Sequence, residues 1–346
     1  MKNSNKRPPW SDLRFSMLYL LLLVFLVAGS ILRVQAGTIT TEFDSDIDQN
    51  HETHGTSAEP SSPIRPTVYT YFERIDSSKR TTGMADEQDS DLLLLWKEQW
   101  EKAGYAAIIL TEQTLKSPNF EMLGEITKQR YESTQSKLEA LPVDDFGKVL
   151  FRRWLAMAAI GGGWFSDYDS FPLWNLEHEA SIDHAEVVAG EKYPLKEQMV
   201  VYDILSPTLA SGSGIEWLDK LEALIEETTK NCPSNNTGHQ CFYTDSLAIH
   251  SIRADGDAKL APAKGNKLAT PFERNDPVSF DDPALCAARG FRKKIAVHFS
   301  PQALQRGRHV PPKQRHPRYR SKLAREWLNR WQELCHTSKT DQASVK

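Results

Sequence analysis

The sequence predicts an α/β protein with a mixed, mainly parallel sheet flanked by helices. Residues 67–75, TVYTYFERI, form a β-branched and aromatic run that is typical of a strand. Residues 89–102 have the apolar periodicity of a helix, and residues 105–110, YAAIIL, form an uninterrupted apolar strand. A strand, a helix and a second strand in this order indicate parallel pairing of the two strands.

The first predicted helix is amphipathic and ends at Gly104, a residue type that commonly terminates helices. Its apolar face is formed by Leu92, Leu95, Trp96 and Trp100. Residues 120–141 are also predicted to be largely helical.

A second helix, followed by a short strand, is predicted around the sequence RWLAMAAIGGGWFSDYDSFPL. Asp144 or Asp145 can cap the start of this helix, and the glycines at 161–163 end it. The strand that follows contains Trp164 and Phe165. The apolar residues at helical spacing are Phe146, Val149, Leu150, Trp154, Met157 and Ala158.

Two aspartates, Asp167 and Asp169, stand at the predicted end of that strand. Side chains alternate in direction along an extended chain, so residues two apart point to the same side. The pair can therefore share one divalent cation, and carboxylate oxygens suit Mg²⁺ or Mn²⁺. In parallel α/β sheets ligands bind at the carboxyl ends of the strands, which is where this pair is expected.

The string GGGWFSDYD resembles the DXD motif of type A (GT-A) glycosyltransferases. It is most similar to the group that includes fungal mannosyltransferases and α-1,4-galactosyltransferases, in which a helix with an arginine leads into two glycines, an aromatic strand and two aspartates. Two departures stand out: Leu150 occupies the place of an aspartate one turn before Arg153, and the glycine run has one extra member. The resemblance implies a GT-A-like fold.

The same resemblance implies roles for individual residues. Asp169 would hold Mn²⁺ or Mg²⁺, and Asp167 would contact the ribose or sugar of a nucleotide-sugar donor and share the metal. Arg153, Gly162 and Gly163 match the donor-binding part of the motif. The reaction would retain the configuration of the transferred sugar, which no residue spacing in this sequence shows.

A histidine in the C-terminal part of the chain also matches the resemblance. His298 lies in a predicted strand, residues 295–300, similar to a family element whose histidine meets the metal or the diphosphate. A structural role for this histidine is the alternative. Trp164, Phe171 and Trp174 are expected to pack in the core, with sugar stacking as the alternative.

A second candidate binding element is the loop SGSG at residues 211–214, which precedes a helix. Its backbone N–H groups, with Ser213, could bind hydroxyls or phosphate; a plain helix cap is the alternative. A strand is predicted within residues 198–205. Asp245 is expected in a surface turn, with contact to the acceptor as the alternative. The helix that follows the SGSG loop has an apolar stripe, which comprises Trp217, Leu218, Leu221, Leu224 and Ile225.

The four cysteines suggest two disulfides in an oxidising compartment. Cys232 with Cys241 is the natural short-loop pair, which leaves Cys286 for Cys335, although the sequence allows three connectivities. Asn235 begins an N-glycosylation acceptor sequence inside the short loop.

The N-terminal region predicts a membrane anchor. Residues 15–32 are uncharged and apolar over about the 18 residues needed for a membrane span, and basic residues precede them. The positive-inside rule places the N-terminus in the cytosol and the rest in the lumen or outside the cell. A cleaved signal peptide ending at Ala36 is the alternative.

The sequence thus divides into a cytosolic stub with anchor at 1–36, a disordered stem at 37–66, a GT-A domain at 67–337 and a disordered tail at 338–346. The formal net charge of −4 excludes no class of function. Basic residues are nevertheless dense between 289 and 330, where they could bind a nucleotide diphosphate or an anionic acceptor. The lumenal location argues against nucleic acid as a partner. Those basic residues include Arg292, Lys293, Lys294, Arg306, Arg308, Lys313, Arg315, Arg318, Arg320, Lys322 and Arg325.

These features predict a single-pass type II hexosyltransferase of the Golgi or another secretory-pathway membrane, which acts on a glycan. Two other classes are weighed against it. One is an inert glycan-binding module on the same scaffold. The other is a haloacid-dehalogenase-type phosphohydrolase, in which Asp167 and Asp169 with Asp281 and Asp282 would form the acidic site; such enzymes place their nucleophile on the first strand, whereas two strands precede Asp167 here.

Overall fold

The structure is a computed structural model that describes residues 65–76, 86–121, 126–173, 199–202, 206–232, 241–254, 261–262, 268–269, 291, 294–307 and 310–336. All of these residues belong to one compact unit, residues 62–346. Within the described ranges no helix is long and apolar enough to cross a membrane. The predicted anchor at 15–32, Trp174, the sequon at Asn235, Asp281 and Asp282 all fall outside those ranges.

A six-stranded sheet and a three-stranded sheet form the framework of the fold. The strands are β1 (Thr67–Tyr71), β2 (Ala106–Leu110), β3 (Gly162–Ser166), β4 (Ser170–Pro172), β5 (Val200–Val201), β6 (Leu209–Ser213), β7 (Ala261–Pro262), β8 (Leu268–Ala269) and β9 (Ala296–His298).

Eight α-helices are present among the described residues, with two short 3₁₀ helices at Pro312–Gln314 and Pro317–Tyr319. The α-helices are α1 (Asp86–Lys102), α2 (Glu112–Lys116), α3 (Lys128–Glu139), α4 (Asp145–Ala159), α5 (Gly214–Asn231), α6 (Asp245–Ala254), α7 (Pro301–Arg306) and α8 (Arg320–His336).

The large sheet confirms the predicted α/β class. Its strand order is β2-β1-β3-β6-β5-β7, and β1 pairs in parallel with both β2 and β3. Strand β6 runs antiparallel to its neighbours β3 and β5, while β5 pairs in parallel with β7. The sheet is therefore mixed and mainly parallel, as the β1-α1-β2 pattern predicts.

Helices cover both faces of this sheet, and the two aromatic residues of β3 show how. Trp164 faces the apolar cluster that contains α1 and α8, whereas its neighbour Phe165 faces the cluster that contains α4 and α5. The alternation follows from the two-residue period of a strand. Because both faces are buried, β3 needs an apolar residue on each side, which explains the consecutive aromatics.

Helix α4 begins and ends as its sequence predicts. Oδ1 of Asp144 accepts a hydrogen bond of 2.7 Å from the backbone N–H of Gly147, so Asp144 is the cap. After α4, Gly161, Gly162 and Gly163 all adopt positive φ, at 86°, 94° and 127°. These angles let the chain turn directly from the helix into β3.

Strand β6 is the main element that the sequence patterns do not predict. Residues 211–213, predicted as a loop, lie inside the sheet between β3 and β5. The strand LASGS lacks β-branched and aromatic side chains, so its local signal is weak. Its strand structure comes from its neighbours: β6 pairs along its whole length with β3, and two of its residues also pair with β5.

At the start of α5, Ser213 acts as the helix cap. Its hydroxyl accepts a hydrogen bond from the backbone N–H of Glu216 at 3.4 Å, and Oε2 of Glu216 accepts one from the N–H of Ser213 at 2.7 Å. This is a capping box, so the plain helix-cap alternative is the one the structure shows. All five residues of the predicted apolar stripe are buried.

Three other predicted elements are present but are shorter than predicted. The helix predicted at 120–141 is α3 alone among the described residues, the strand predicted in 198–205 is the two-residue β5, and the strand predicted at 295–300 is β9. Helix α8 buries Leu323, Trp327 and Trp331.

The predicted short-loop disulfide, Cys232 to Cys241, is present. It joins the end of α5 to the segment that precedes α6, and the N–H of Cys241 also donates to the carbonyl of Pro142 at 2.9 Å. Cys335 is disulfide-bonded as well, while its predicted partner Cys286 lies outside the described residues.

We expect a double substitution, Cys232→Ser with Cys241→Ser, to lower the free energy of unfolding by about 2 to 3 kcal/mol. The loop that the bond closes is short, and the loss of chain entropy in the unfolded state scales only weakly with loop length. Chemical denaturation of the full-length protein measures the change. An unaltered denaturation midpoint would show that the segment before α6 is held without the bond.

Candidate functional site

The two aspartates lie in a tight turn and not at the end of a strand. Strand β3 ends at Ser166 and β4 begins at Ser170, and the N–H of Ser170 donates to the carbonyl of Asp167 at 2.8 Å. Side-chain alternation therefore does not apply, and the prediction that both carboxylates point to one side for this reason is wrong. Their directions are set by different partners, Arg153 for Asp167 and Arg320 for Asp169.

Hydrogen bonds from helix α1 hold the ends of this turn. The indole N–H of Trp96 donates to the hydroxyl of Ser166 at 3.3 Å, and that of Trp100 donates to the carbonyl of Ser170 at 3.0 Å. Both tryptophans and both serines are buried. This acidic turn, residues 167–169, is therefore anchored to the core, which fixes the positions of its carboxylates.

The backbone of the turn is also tied to two other strands. The N–H of Asp167 donates to the carbonyl of Thr208 at 2.8 Å, next to β6, and the N–H of Phe299 donates to the carbonyl of Asp169 at 2.9 Å, next to β9. In the small sheet, Ser170 stands opposite His298. The turn therefore brings together chain segments that are far apart in sequence.

Asp167 is held by Arg153, which projects from α4. Nη1 of Arg153 lies 2.5 Å from Oδ1 of Asp167, while its Nε and Nη2 lie 3.0 and 2.5 Å from Oδ2 of Asp245. The guanidinium also sits 5.6 Å from the centroid of the Phe165 ring. One buried arginine thus bridges two aspartates.

Asp169 is held by a different pair of residues. Nε2 of His298 lies 3.4 Å from Oδ1 of Asp169, and Nη2 of Arg320 lies 3.1 Å from Oδ2. Arg320 is the first residue of α8, is almost fully buried and stands 5.6 Å from the centroid of the Tyr168 ring. His298 therefore lies beside the acidic pair, and its contact with a metal or a diphosphate stays a prediction.

These surroundings push the pKa values of the two carboxyl groups apart. Burial raises the pKa of Asp167; Arg153 opposes this effect and the neighbouring Asp169 adds to it. Burial would also raise the pKa of Asp169, but His298 and Arg320 outweigh it and lower that pKa to about 2. Asp169 is consequently the member of the pair with the more firmly ionised carboxylate.

A cleft opens beside Asp167 at the carboxyl ends of β1 and β3. Its floor and walls come from the segment after β1, from the first turns of α4 and from the acidic turn. The lining residues include Phe72, Arg74, Phe146, Leu150, Asp167 and Tyr168. Leu150, which stands where the resembling family has an aspartate, presents an apolar wall to this cleft.

Asp167, Asp169 and His298 provide the kinds of donor atom that suit Mn²⁺ or Mg²⁺. Their side chains keep 19, 10 and 14% of their surface exposed. Within the described residues, no group of three His, Cys, Asp or Glu side chains is arranged to hold a metal by itself. The acidic turn fits the other common arrangement, in which one or two carboxylates share the cation with substrate phosphates.

Gly162, Gly163 and Ser213 are not brought to the acidic turn. Gly162 pairs with Ser213 at the start of β3, whereas Asp167 follows the other end of that strand. A five-residue strand separates the two places by roughly 15 Å. Their positions give no support to a donor-binding role, and Gly162 instead lies against the backbone of Gly212 and Gly214. Trp164 and Phe171 are buried in the core, as expected.

Asp245 and Arg320 contact the predicted site residues, although the sequence patterns do not indicate these contacts. Asp245, predicted in a surface turn, is fully buried, so that prediction is wrong. Arg320 stands among twelve other lysines and arginines between residues 289 and 330, and no local pattern distinguishes it from them. Only the start of an amphipathic helix at residue 320 sets it apart, and that pattern does not indicate a site.

Fold and site together define an α/β protein with an acidic turn at the carboxyl edge of its sheet. Residues 45–238 match the family described as Domain of unknown function (DUF8765), and because this match covers more than half of the chain, the protein belongs to that family. The match includes Arg153, Asp167 and Asp169, while Asp245, His298 and Arg320 follow it. No curated protein matches the sequence.

Proposed function

We propose that this protein is a metal-dependent glycosyltransferase with a GT-A-like fold, which moves a hexose from a nucleotide-sugar donor to a glycan. The observation that carries the proposal is the acidic turn: two carboxylates are each held by a separate buried arginine, and one of them, Asp167, lines a cleft at the carboxyl edge of a mainly parallel sheet. Ligands of open α/β sheets bind at this edge.

The cleft combines apolar and polar surface, as a donor with a base and a sugar requires. Phe146, Val149 and Leu150 contribute apolar side chains to its lining, and Asp167 and Tyr168 contribute polar groups. An aromatic or apolar wall can hold a planar base, while carboxylates accept hydrogen bonds from ribose or sugar hydroxyls. Of the two aspartates of the acidic turn, Asp167 lines the cleft, together with the carboxylates of Glu73 and Asp89.

In the proposed reaction Asp169 and Asp167 would hold Mn²⁺ or Mg²⁺. When bound, such a cation neutralises negative charge on a departing diphosphate and acts as a Lewis acid. Arg153 keeps Asp167 directed into the cleft, and His298 with Arg320 fixes Asp169. The guanidinium of Arg320 beside Asp169 also places positive charge near the site, which favours an anionic leaving group.

The proposal includes the cellular setting that the N-terminal sequence predicts. The protein would be a single-pass type II protein of the Golgi or another secretory-pathway membrane, with its catalytic domain in the lumen. The Cys232 to Cys241 disulfide supports an oxidising compartment. The glycan acceptor would meet the donor from the side of the cleft that faces solvent.

The test is donor turnover by the purified full-length protein. We expect release of nucleoside diphosphate from at least one of a panel of nucleotide sugars with Mn²⁺ or Mg²⁺, and none in the presence of a chelator. Phosphate release from generic phosphate esters would instead indicate a phosphohydrolase. Binding of glycans on an array without consumption of any donor would indicate an inert glycan-binding module.

A further inference from the structure

Asp245 is buried deeply for a charged residue, and it is hydrogen-bonded to Arg153, the residue that holds Asp167. It is the first residue of α6, and its exposed fraction is 0%. Its Oδ2 accepts hydrogen bonds from Nε and Nη2 of Arg153 and, at 2.8 Å, from the indole N–H of Trp154. Its Oδ1 accepts one of 2.7 Å from the N–H of Ser246. A buried carboxylate with this many donors is fixed in place.

This arrangement determines where Arg153 points. A guanidinium is planar, and a carboxylate that engages both Nε and Nη2 fixes the orientation of that plane. With that edge taken by Asp245, Nη1 is the group that remains for Asp167. Phe165 covers one face of the guanidinium, which limits its tilt. The position of Asp167 in the cleft therefore depends on a residue that does not line the cleft.

We infer that Asp245 is a positioning residue for donor binding, which acts through Arg153 on Asp167. This inference rests on the proposed glycosyltransferase function for its effect on the donor, but the contact between Arg153 and Asp167 can be examined without that function.

The first variant is Asp245→Asn, which keeps the shape of the side chain but removes its charge. We expect the Michaelis constant for the donor to rise roughly tenfold or more, with a smaller change in kcat, because small misplacement of binding groups is costly. Asp219→Asn is the matched control: Asp219 also pairs with an arginine, Arg130, but on the exposed surface of α5. Its Michaelis constant should equal that of the wild type.

A second pair of variants covers the case in which Asp245→Asn does not fold. Trp154→Phe removes one hydrogen bond to Asp245 and leaves every charge in place. Trp217→Phe is its control, because Trp217 packs against Trp154 but its indole N–H has no hydrogen-bond partner among the described residues. We expect a raised Michaelis constant only in Trp154→Phe, although both changes disturb the same core.

The probes are UDP-galactose and GDP-mannose with Mn²⁺, and a crystal structure of Asp245→Asn accompanies the kinetics. We expect Arg153 to move away from Asp167 in that structure. A wild-type Michaelis constant in folded Asp245→Asn, or equal constants in the two tryptophan variants, would overturn the inference. If the wild type consumes neither donor, the proposed function loses support for these donors while the crystal structure still decides the positioning role: an unmoved Arg153 refutes it.

Discussion

Replacement of Asp169 by asparagine is expected to reduce metal-dependent donor turnover by a hundredfold or more. The change replaces an anionic metal ligand with a neutral one, and the Lewis-acid contribution of a metal amounts to several kcal/mol, where each ~1.4 kcal/mol is a factor of ten in rate. Donor hydrolysis by wild type and variant, with Mn²⁺ or Mg²⁺ and with chelator, measures the effect. Asp167→Asn should chiefly weaken donor binding, and His298→Ala should cause a smaller loss if the imidazole touches the diphosphate.

The structure adds a second consequence to Asp169→Asn. Arg320 is 2% exposed and pairs with this carboxylate, so the substitution leaves a buried cation without its anionic partner. We therefore expect a lower melting temperature alongside the lost activity. The double variant Asp169→Asn with Arg320→Gln removes both charges and should recover stability but not turnover. Full turnover in Asp169→Asn, or undiminished wild-type turnover in chelator, would contradict the proposed role of the acidic turn.

The second large effect is expected from Gly162→Ala, which should lower the free energy of unfolding by at least about 3 kcal/mol. Gly162 has a φ of 94°, which alanine rarely adopts, and a Cβ there would lie 2.4 Å from the carbonyl oxygen of Gly212 and 2.5 Å from the nitrogen of Gly214. Both atoms belong to the backbone, so β3 and the start of α5 must separate to admit a methyl group.

Gly212→Ala is the matched control for this prediction. Gly212 stands in β6 beside β3, and its added Cβ would come no closer than 3.3 Å, to side-chain atoms of Glu216 and Met199. Those side chains can shift, so the expected change in stability is small. Thermal or denaturant unfolding of both variants gives the comparison. Equal stability of Gly162→Ala and Gly212→Ala would show that the backbone at the start of β3 yields more easily than its geometry indicates.

Local patterns in the sequence were sufficient to predict the elements whose own residues show a helix or strand periodicity. The apolar stripe of α1, the apolar run of β2 and the capped, glycine-terminated α4 all lie where their periodicity predicts them. These signals work because helix and strand periods are local properties of the chain. The short-loop disulfide was likewise predictable, since its cysteines are only 9 residues apart.

Strand β6 and the turn at Asp167 and Asp169 show where local patterns fail. Residues 211–213 carry small side chains without strand preference, and only pairing with β3 and β5 makes them a strand. The turn interrupts what the sequence presents as a continuous strand, because β4 must leave the large sheet to pair with β9. Both the strand β6 and the departure of β4 from the large sheet depend on pairing with strands that are far away in sequence, β3 and β9.

The composition of the candidate site was decided by tertiary structure for the same reason. The sequence by itself identified Arg153, the two aspartates and His298, since each lies in or near a motif. It could not join Asp245 to Arg153 across 92 positions. It also could not select Arg320 from a basic region. Both residues are charged and buried, a state that is favourable only when an oppositely charged partner is in place, and the fold alone brings those partners together.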